Sequence, residues 1–472
     1  MAGLLLAYHA VFAQTSTTSE TTKYFRSVQN NHNKLSEFLL EMPIGADLHI
    51  HLTGSTYAEN LLHYAQSDNL CINPQDYMVY DHPMCTEKNL LNTAIKDHSF
   101  YNKVIDAWSM RHADPQVLGH DHFFEIFAKY DVIAKKHTAE ILSEVMQRAG
   151  QQHVKYLELK IHPTESGSAL VRTVDQYELD ARRILRCNSS RPSIGCQVKV
   201  RYIYEIFREN DPSIIWSRCM VGVQAVLHDQ RFVGLDFVQP EDGKISMRDY
   251  ALHMRMVRKI HSLYPTVPVS LHAGELATGL VPASGLRSHV HDAVLLAKAR
   301  RIGHGVDIAG EDNAVSLLKY MSEHEVLVEI NLSSNFLILH TPVKDHPLLL
   351  YMKFNVPIVL STDDPGISRT NLTNEYLLAV ESFHLNYQEL KNISRNGLHY
   401  SFLPGQRLWS DRNYQLINPA CKKDKFDDKE HTPSCQIFLN KNEKARMQWA
   451  LEQSFVAFER QIAEKYSTVQ YQ

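Results

Sequence analysis

The residues best able to do chemistry in this 472-residue chain are histidines, which number 26 against seven cysteines. Histidine and carboxylate side chains come together in four short motifs. These motifs are His49-x-His51, His272-Ala-Gly-Glu275, Gly303-His304-Gly305 and Asp363-Asp364-Pro365. Imidazoles and a carboxylate suit a borderline metal such as zinc, which in catalytic sites keeps one position open for water. Each motif alone is weak, but their joint occurrence predicts a catalytic metal site.

Eight short β-rich runs alternate with segments of helical periodicity. The runs are Asp47–Leu52, Tyr156–Ile161, Val198–Tyr204, Val233–Val238, Val267–His272, Arg301–Val306, Leu327–Leu332 and Pro357–Ser361. This alternation predicts an α/β fold, a parallel (β/α)8 TIM barrel. The four motifs then fall at carboxyl ends of strands, where such barrels carry their catalytic residues. Because residues two apart on a strand point the same way, His49 and His51 can both face the barrel mouth.

Two regions extend the predicted barrel. The connection from Gly54 to His153 contains helical patterns such as Phe123–Ala134, and we expect a long helical insertion after strand 1 that forms a lid or pocket wall. The tail ends in an amphipathic segment, Asn442–Tyr466, which predicts a C-terminal helical extension packed on the barrel. The predicted division is a signal peptide over 1–13, a helical segment over 14–41, the barrel over 42–398 and the extension over 399–472.

The N-terminus and the cysteines favour export. Residues 4–13 are mostly apolar and end in small residues, as before a signal-peptide cleavage site, although no basic residue precedes them. Six cysteines form three sequence-local couples, Cys71 with Cys85, Cys187 with Cys196, and Cys421 with Cys435. Cys219 lies in an apolar stretch and is predicted to be a buried free thiol. Disulfides belong to oxidising compartments, so we expect a periplasmic or secreted protein. The alternative is a cytoplasmic enzyme with reduced cysteines.

Composition and charge limit the kinds of partner. Apolar residues make up 44% of the chain and charged residues 22%, which excludes wholesale disorder. The net charge is −4 and no basic block appears, so neither nucleic acid nor an anionic membrane is expected as a partner. No run approaches the ~18 apolar residues that span a bilayer. We expect a small-molecule substrate, and the oligomeric state stays open.

Five segments carry a resemblance to a known family. They are MPIGADLHIHLTGS, SLHAGE, RIGHGVDI, NLSSN followed by His346-Pro347, and LSTDDPGI. In combination they resemble the adenosine deaminase family of the metal-dependent amidohydrolase superfamily, in register from Met42 to Phe383. The predicted export places the chain with exported bacterial or growth-factor-like members of that family.

The resemblance implies a role for each motif residue. One zinc ion per chain would be held by His49, His51, His272 and Asp363. Glu275 would donate a proton to the purine ring, His304 would act on the attacking water, and Asp364 would contact the base. Substrate contacts are implied at His51, Thr53, Gln239, Gly274 and Asp364. The fourth predicted strand offers no lysine to bridge two metals, which favours a mononuclear site.

The chemistry of these roles constrains the protonation states. Adding water across a ring C=N is easier once the ring nitrogen is protonated, so Glu275 must be protonated, with a pKa raised by an apolar site. A purine N7 only accepts a hydrogen bond, so Asp364 must also carry a proton to meet it. Asp363 faces the metal and should stay ionised. Two adjacent carboxyls would then titrate far apart.

Two residues depart from the adenosine-specific pattern and leave alternatives open. Thr53 stands where many family members have an aspartate, and Gln239 stands where the family often has a glycine. The leading hypothesis is hydrolysis of adenosine, and of 2'-deoxyadenosine, to inosine and ammonia. An adenine or other 6-aminopurine deaminase is the first alternative, and a phosphorylated substrate is disfavoured because no basic cluster adjoins the motifs. A secreted binding or growth-factor-like protein on the same fold is the second.

Overall fold

The computed structural model describes residues 17–81, 85–86, 89–113, 119–428 and 430–469, so the predicted signal peptide over 1–13 lies outside the described residues. Eight strands form the barrel: β1 Ile44–His51, β2 Val154–Ile161, β3 Lys199–Phe207, β4 Phe232–Val238, β5 Ser270–Ala273, β6 Arg301–His304, β7 Leu327–Ile330 and β8 Ile358–Leu360. Strands β1 to β4 form one sheet and β5 to β8 another, each in chain order. Parallel bridges Leu235–Val269 and Ile50–Asp363 join the two sheets. The predicted (β/α)8 barrel is confirmed.

The strands are buried along almost their whole length, as expected for a parallel sheet covered on both faces. Every predicted β-rich run overlaps one observed strand. The spacing of apolar residues over His289–Arg300 predicts a single helix. The structure differs there: the segment is helical over His289–His291 and forms a π-turn over Asp292–Leu296. Lys298 then adopts a left-handed φ of 62°, which ends the helical path before β6 begins.

Helices occupy the connections between strands. After β1 come Ala58–Ser67, Leu91–Ala94, His98–Ala107, Gly119–Lys136 and Thr138–Gln151, with a short antiparallel hairpin of Cys71–Ile72 and Val79–Tyr80. The later connections contain Gly167–Ile184, Ile194–Gln197, Pro212–His228, Lys244–Leu263, Ala283–Leu286, Val306–Gly310, Ala314–Glu323, Leu332–Leu339, Val343–Asp345 and Leu348–Lys353. Two more helices, Pro365–Ser368 and Leu372–Phe383, follow β8. Local sequence explains several starts: Asp211 caps the helix that opens at Pro212, accepting from Ser213 N. The helical insertion after strand 1 is present as predicted.

The contacts divide the chain into two compact units, and the barrel loops belong to the unit formed by 47–150 and 157–375. The described residues of the other unit carry helices over 17–28, His32–Glu41, Tyr387–His399, Pro419–Cys421, Pro433–Lys441 and Glu443–Val469. Its interior holds two buried ion pairs, Lys391–Glu459 at 2.6 Å and Arg395–Glu452 at 2.7 Å. Within the described residues, no helix is long and apolar enough to cross a membrane.

The disulfides join the three predicted cysteine couples, Cys71–Cys85, Cys187–Cys196 and Cys421–Cys435. Cys219 is a buried free thiol, also as predicted. Both sulfurs of Cys421–Cys435 lie in an apolar cluster with Trp409 and Trp449. This cluster is part of the core of the second unit.

Removing the Cys421–Cys435 bridge should destabilise that unit. Its cysteines are 14 residues apart, and closing such a loop contributes about 3 kcal/mol to the free energy of unfolding in the chain-entropy model. The variant C421A/C435A is therefore expected to unfold at a lower urea concentration than the parent. Chemical unfolding followed by tryptophan fluorescence measures this. The matched variant C187A/C196A should leave the fluorescence transition of the Trp409–Trp449 cluster unchanged, and equal transitions in all three proteins would contradict the prediction.

Candidate metal and catalytic site

The four predicted metal ligands converge at the carboxyl end of the barrel. The backbone of Asp363 pairs with β1, because its N–H donates to His49 O and its carbonyl accepts from His51 N, both at 2.8 Å. His272 Nε2 lies 3.1 Å from His49 Nε2 and 3.3 Å from His51 Nε2. Asp363 Oδ1 lies 3.3 Å and 3.2 Å from the same two atoms. One donor atom from each residue thus lies within 4.8 Å of the others, as in the ligand set of one metal ion.

Each of the three imidazoles is held on its far side by a buried carboxylate. The pairs are His49 Nδ1 with Glu329 Oε2 at 2.8 Å, His51 Nδ1 with Glu205 Oε1 at 2.5 Å, and His272 Nδ1 with Asp236 Oδ2 at 3.0 Å. Because a carboxylate only accepts, each Nδ1 carries the proton and each Nε2 directs a lone pair to the common point. Such pairs fix the tautomer and orientation of metal-binding histidines. The donor set therefore fits a divalent metal ion.

Sequence reasoning did not find these orienting carboxylates. Each is an acidic residue whose neighbours in the strand are apolar or aromatic: Glu205 in β3, Asp236 in β4 and Glu329 in β7. A buried charge is strongly unfavourable unless it is paired. An acid flanked by apolar residues in a barrel strand therefore indicates a partner in the interior, and this signal was present in the sequence.

Asp363 is fixed through its side chain and its backbone. Its Oδ2 accepts from Ser334 Oγ at 2.7 Å. Its φ of 60° is uncommon for a residue other than glycine, and such backbone strain is concentrated at functional sites. Burial raises the pKa of Asp363, but the imidazoles of His49 and His51 beside its carboxylate outweigh that effect and hold the pKa well below its usual range. The carboxylate is ionised, as a metal ligand must be.

Glu275 lies beside this ligand set and is held through its backbone. Its N–H donates to Glu241 Oε2 at 2.8 Å, and the N–H of Gly274 donates to Glu241 Oε1 at 3.0 Å. Its side chain is 6% exposed, and its Oε1 lies 3.6 Å from His304 Nδ1. Burial, reinforced by the nearby carboxylate of Asp363, raises the pKa of Glu275 well above its usual value. The shift of the Glu275 pKa favours the protonated acid.

His304 ends β6 as a neutral histidine fixed by amide side chains. Asn335 Nδ2 donates to His304 Nδ1 at 2.9 Å, and Asn331 Nδ2 lies 3.4 Å from the same atom. Burial lowers the pKa of His304 well below its usual value. A neutral imidazole that accepts at Nδ1 carries its proton on Nε2. His304 therefore presents an N–H, not a lone pair, on its other side.

Asp364 is a buried carboxyl at the end of β8. Gly54 makes room for it, because a Cβ at that position would collide with Asp364 Oδ1. Burial raises the pKa of Asp364 well above its usual value, and the adjacent charge of Asp363 adds to the shift against the opposing effect of His51. The pKa values of Asp363 and Asp364 are thus shifted in opposite directions, as the sequence led us to expect.

The remaining predicted substrate contacts lie at the same end of the barrel. Thr53 is exposed, and its carbonyl accepts from Tyr130 Oη at 3.2 Å. Gln239 has a φ of 82°, a conformation that favours the glycine expected there from the resemblance. Its Oε1 accepts from Glu209 N at 3.0 Å, so the side chain reaches towards the loop after β3. The Gly274 N–H is taken by Glu241, as described above. Contacts of these three residues with substrate stay predictions.

The insertion places a helix across the barrel mouth. Gly119–Lys136 is anchored near its start by His120 Nε2, which lies 2.9 Å from Asp242 Oδ1 in the loop after β4. Further along the helix, Tyr130 donates to the carbonyl of Thr53 in the loop after β1. The helix therefore runs between two loops that border the site, in the position of the lid or pocket wall predicted from the sequence.

A parallel barrel whose strand ends gather three histidines and an aspartate defines the class of metal-dependent amidohydrolases. Within that class, the family model described as adenosine deaminase matches residues 45–410. The chain belongs to the adenosine deaminase family.

Curated relatives carry more than one substrate name. An adenosine deaminase from Clostridium perfringens is 24% identical over 384 residues, which cover 77% of this chain and 95% of that protein. An N6-methyl-AMP deaminase from Mus musculus is 26% identical over 286 residues, covering 59% of this chain and 74% of that protein. At these identities the relatives do not fix the substrate.

Solved structures agree on the fold. The N6-methyl-AMP deaminase from Arabidopsis thaliana superimposes with a TM-score of 0.53 at 22% identity, covering 78% of this chain and 94% of that one. An adenine deaminase from Arthrobacter aurescens gives 0.52 at 16% identity, covering 77% and 94%. An amidohydrolase from Burkholderia ambifaria with bound Zn gives 0.51 at 16% identity, covering 78% and 88%. These likenesses support the barrel alone.

Proposed function

We propose that this protein is a zinc-dependent adenosine deaminase, which hydrolyses adenosine and 2'-deoxyadenosine to inosine or deoxyinosine and ammonia. One observation carries the proposal. Beside the four gathered donor atoms, Glu275 Oε1, His304 Nε2 and Asp364 Oδ1 are buried with no hydrogen-bond partner among the described residues. Buried polar atoms are rarely left unpaired, so a ligand that complements all three is expected. A 6-aminopurine with its attacking water does so.

Three histidines and one carboxylate are typical ligands of zinc, and His49, His51, His272 and Asp363 would hold it. When bound, zinc would supply Lewis acidity and lower the pKa of a coordinated water. The fit rests on the paired carboxylates that direct each imidazole. One set of three histidines and an aspartate among the described residues supports a single ion per chain.

The chain's own residues would divide the proton transfers. Protonated Glu275 donates to N1 of the purine, which makes C6 electrophilic, and an oxygen from water then bonds to C6. The His304 Nε2–H orients and stabilises that oxygen. Collapse expels the amino group as ammonia and leaves the ring with a C6 carbonyl. Of the two protons of the water, one goes to the leaving nitrogen and the other returns to Glu275, while the proton that Glu275 donated stays on N1. Asp364, as a protonated carboxyl, donates to N7 and fixes the orientation of the ring.

The Asp364 role can be tested with two substitutions. Asp364→Ala removes the donor and should lower kcat/KM for adenosine about 10–100-fold, the usual cost of a lost buried hydrogen bond. Asp364→Asn keeps an N–H donor of similar shape and should lose much less. Steady-state kinetics measure both. An asparagine variant as impaired as the alanine variant would show that the carboxyl does not act as a donor.

Three arginines of the described strand-end loops already have partners, which favours a nucleoside over a nucleotide. Arg287 is paired with Asp312 and Arg369 with Glu59. Arg208 is 1% exposed and donates to backbone carbonyls. A 5'-phosphate would need an accessible guanidinium or ammonium at the mouth.

A second candidate substrate follows from Thr53 and Gln239, which depart from the adenosine-specific pattern. Relatives named for N6-methyl-AMP and adenine make these compounds the natural competitors. We therefore expect kcat/KM for adenosine to exceed that for adenine and for N6-methyl-AMP when the three are assayed in parallel. A higher kcat/KM for adenine or for N6-methyl-AMP would change the proposed substrate but not the proposed type of reaction.

We also propose that the protein is exported. The three disulfides support an oxidising compartment, periplasmic or extracellular. Non-reducing peptide mapping of protein purified from its native compartment should recover the three bridges. Free thiols at all six positions would contradict export.

A further inference from the structure

A buried lysine lies beneath the ligand set and has no part in the chemistry above. Lys160 belongs to β2 and is 1% exposed. Its Nζ forms an ion pair with Asp236 and lies 3.7 Å from Glu329 Oε2. Asp236 is the carboxylate behind His272, and Glu329 is the carboxylate behind His49. One ammonium therefore contacts both carboxylates that orient two of the ligands.

The charges around Lys160 show what it contributes. Arg301 Nε lies 2.6 Å from Glu329 Oε1, and its Nη2 lies 2.6 Å from Glu158, so Glu329 has a second cation. For Asp236, the cation that the described contacts provide is Lys160. Without the ammonium of Lys160, the buried carboxylates of Asp236 and Glu329 would lie close together with a single guanidinium, that of Arg301, beside Glu329. Such a pair is expected to move apart or turn away from the imidazoles.

We propose that Lys160 is a positioning residue for the metal site: its ammonium holds Asp236 and Glu329 so that His272 and His49 point at the same ion. The inference rests on the metal site of the proposed function. The proposal also distinguishes the three histidine ligands, because the lysine acts on two of them and not on the third. Glu205, which orients His51, lies near the barrel mouth with 8% of its side chain exposed and makes its contact without Lys160. The orientation of His51 is thus independent of the lysine.

A different role is conceivable for a lysine inside such a barrel, namely metal bridging through a carboxylated Nζ. The contacts favour an ammonium. The Lys160 Nζ lies among carboxylate oxygens, whereas the gathered donor atoms are three imidazole nitrogens and Asp363 Oδ1. Bridging would require two metal ions per chain, so metal stoichiometry distinguishes the two roles.

The test compares zinc affinity in the metal-free full-length parent with three variants. Lys160→Met removes the positive charge but keeps a side chain of similar length, and Lys160→Arg keeps the charge. The matched control is Lys155→Met, because Lys155 lies on the same strand and its side chain points to the opposite face of the sheet. Competition against a chromogenic chelator should show zinc bound about 10–100-fold more weakly by Lys160→Met, the usual effect of disturbing the outer partners of metal-binding histidines. Lys160→Arg should recover most of the loss and Lys155→Met should match the parent. Cobalt-substituted Lys160→Met should show altered visible absorption bands, since the ligand geometry changes.

Every outcome of this test either supports or overturns one of the two proposals. Zinc binding by folded Lys160→Met as tight as that of the parent would overturn the proposal, and so would two zinc ions per parent chain. If Lys160→Met does not fold, Lys160→Arg is decisive. If the arginine variant folds and binds zinc, the result supports the role proposed for the positive charge. If neither variant folds and binds zinc, the proposal is overturned. A parent that binds no zinc at all would instead refute the proposed function, before any variant is compared.

Discussion

Replacing Glu275 by glutamine is expected to lower kcat for adenosine by ~10²–10⁴-fold, the usual contribution of a general acid, while zinc and the fold are retained. Glutamine has the shape of a protonated glutamic acid and can donate a hydrogen bond, but it cannot transfer a proton to the ring. The backbone contacts of residue 275 with Glu241 do not involve its side chain, so the loop should keep its conformation. The absorbance change on conversion of adenosine measures kcat directly.

The control for this variant is Glu323→Gln, an exposed acid in the helix Ala314–Glu323, which should turn over like the parent. The pH profile adds a second check. Because the pKa of Glu275 is raised and only its protonated form can donate, activity should be present below that pKa and fall as the pH rises through it. Persistence of parental kcat in Glu275→Gln would show that the proton comes from another group.

Removing the metal is expected to have the other large effect. A strong chelator should abolish deamination, and one equivalent of zinc per chain should restore it, because the four donor residues would hold a single ion. The metal-free protein should also unfold at a lower temperature, since a ligand at 100 times its Kd stabilises the folded state by about 2.7 kcal/mol. Differential scanning calorimetry with and without zinc measures this shift.

Asp363→Asn is the matched variant for metal removal. It keeps the size of the side chain but removes the charged donor, and it should not regain activity or thermal stability when zinc is added. Asp345→Asn, an exposed acid in Val343–Asp345, should respond to zinc like the parent. Full activity after exhaustive chelation would contradict a metal-dependent reaction.

Much of the fold was predictable because parallel strands and helices have different hydrophobic periods. The eight β-rich runs located all the barrel strands, and the motifs at their ends located His49, His51, His272 and Asp363. Those residues lie together because the carboxyl ends of all strands meet at one rim. The disulfide couples were predictable because each closes a short, polar loop.

The rest of the site depends on contacts that cross the barrel. Glu329 reaches His49 from a strand 280 positions away in the chain, and no local pattern specifies that distance. The hydrogen bond of the Gln239 side chain is likewise a tertiary contact, because its partner Glu209 lies in the neighbouring loop. The π-turn before β6 was not predicted, because the spacing of apolar residues alone does not distinguish a π-turn from an α-helix.

The most direct test of the central claim is to incubate purified, zinc-loaded protein with adenosine and to follow both the ultraviolet spectrum and released ammonia. We expect conversion to the inosine spectrum with one ammonia per nucleoside, and conversion that is ~10²–10⁴-fold slower by Glu275→Gln under the same conditions. An unchanged spectrum with no ammonia, from a folded protein carrying one zinc ion per chain, would contradict it.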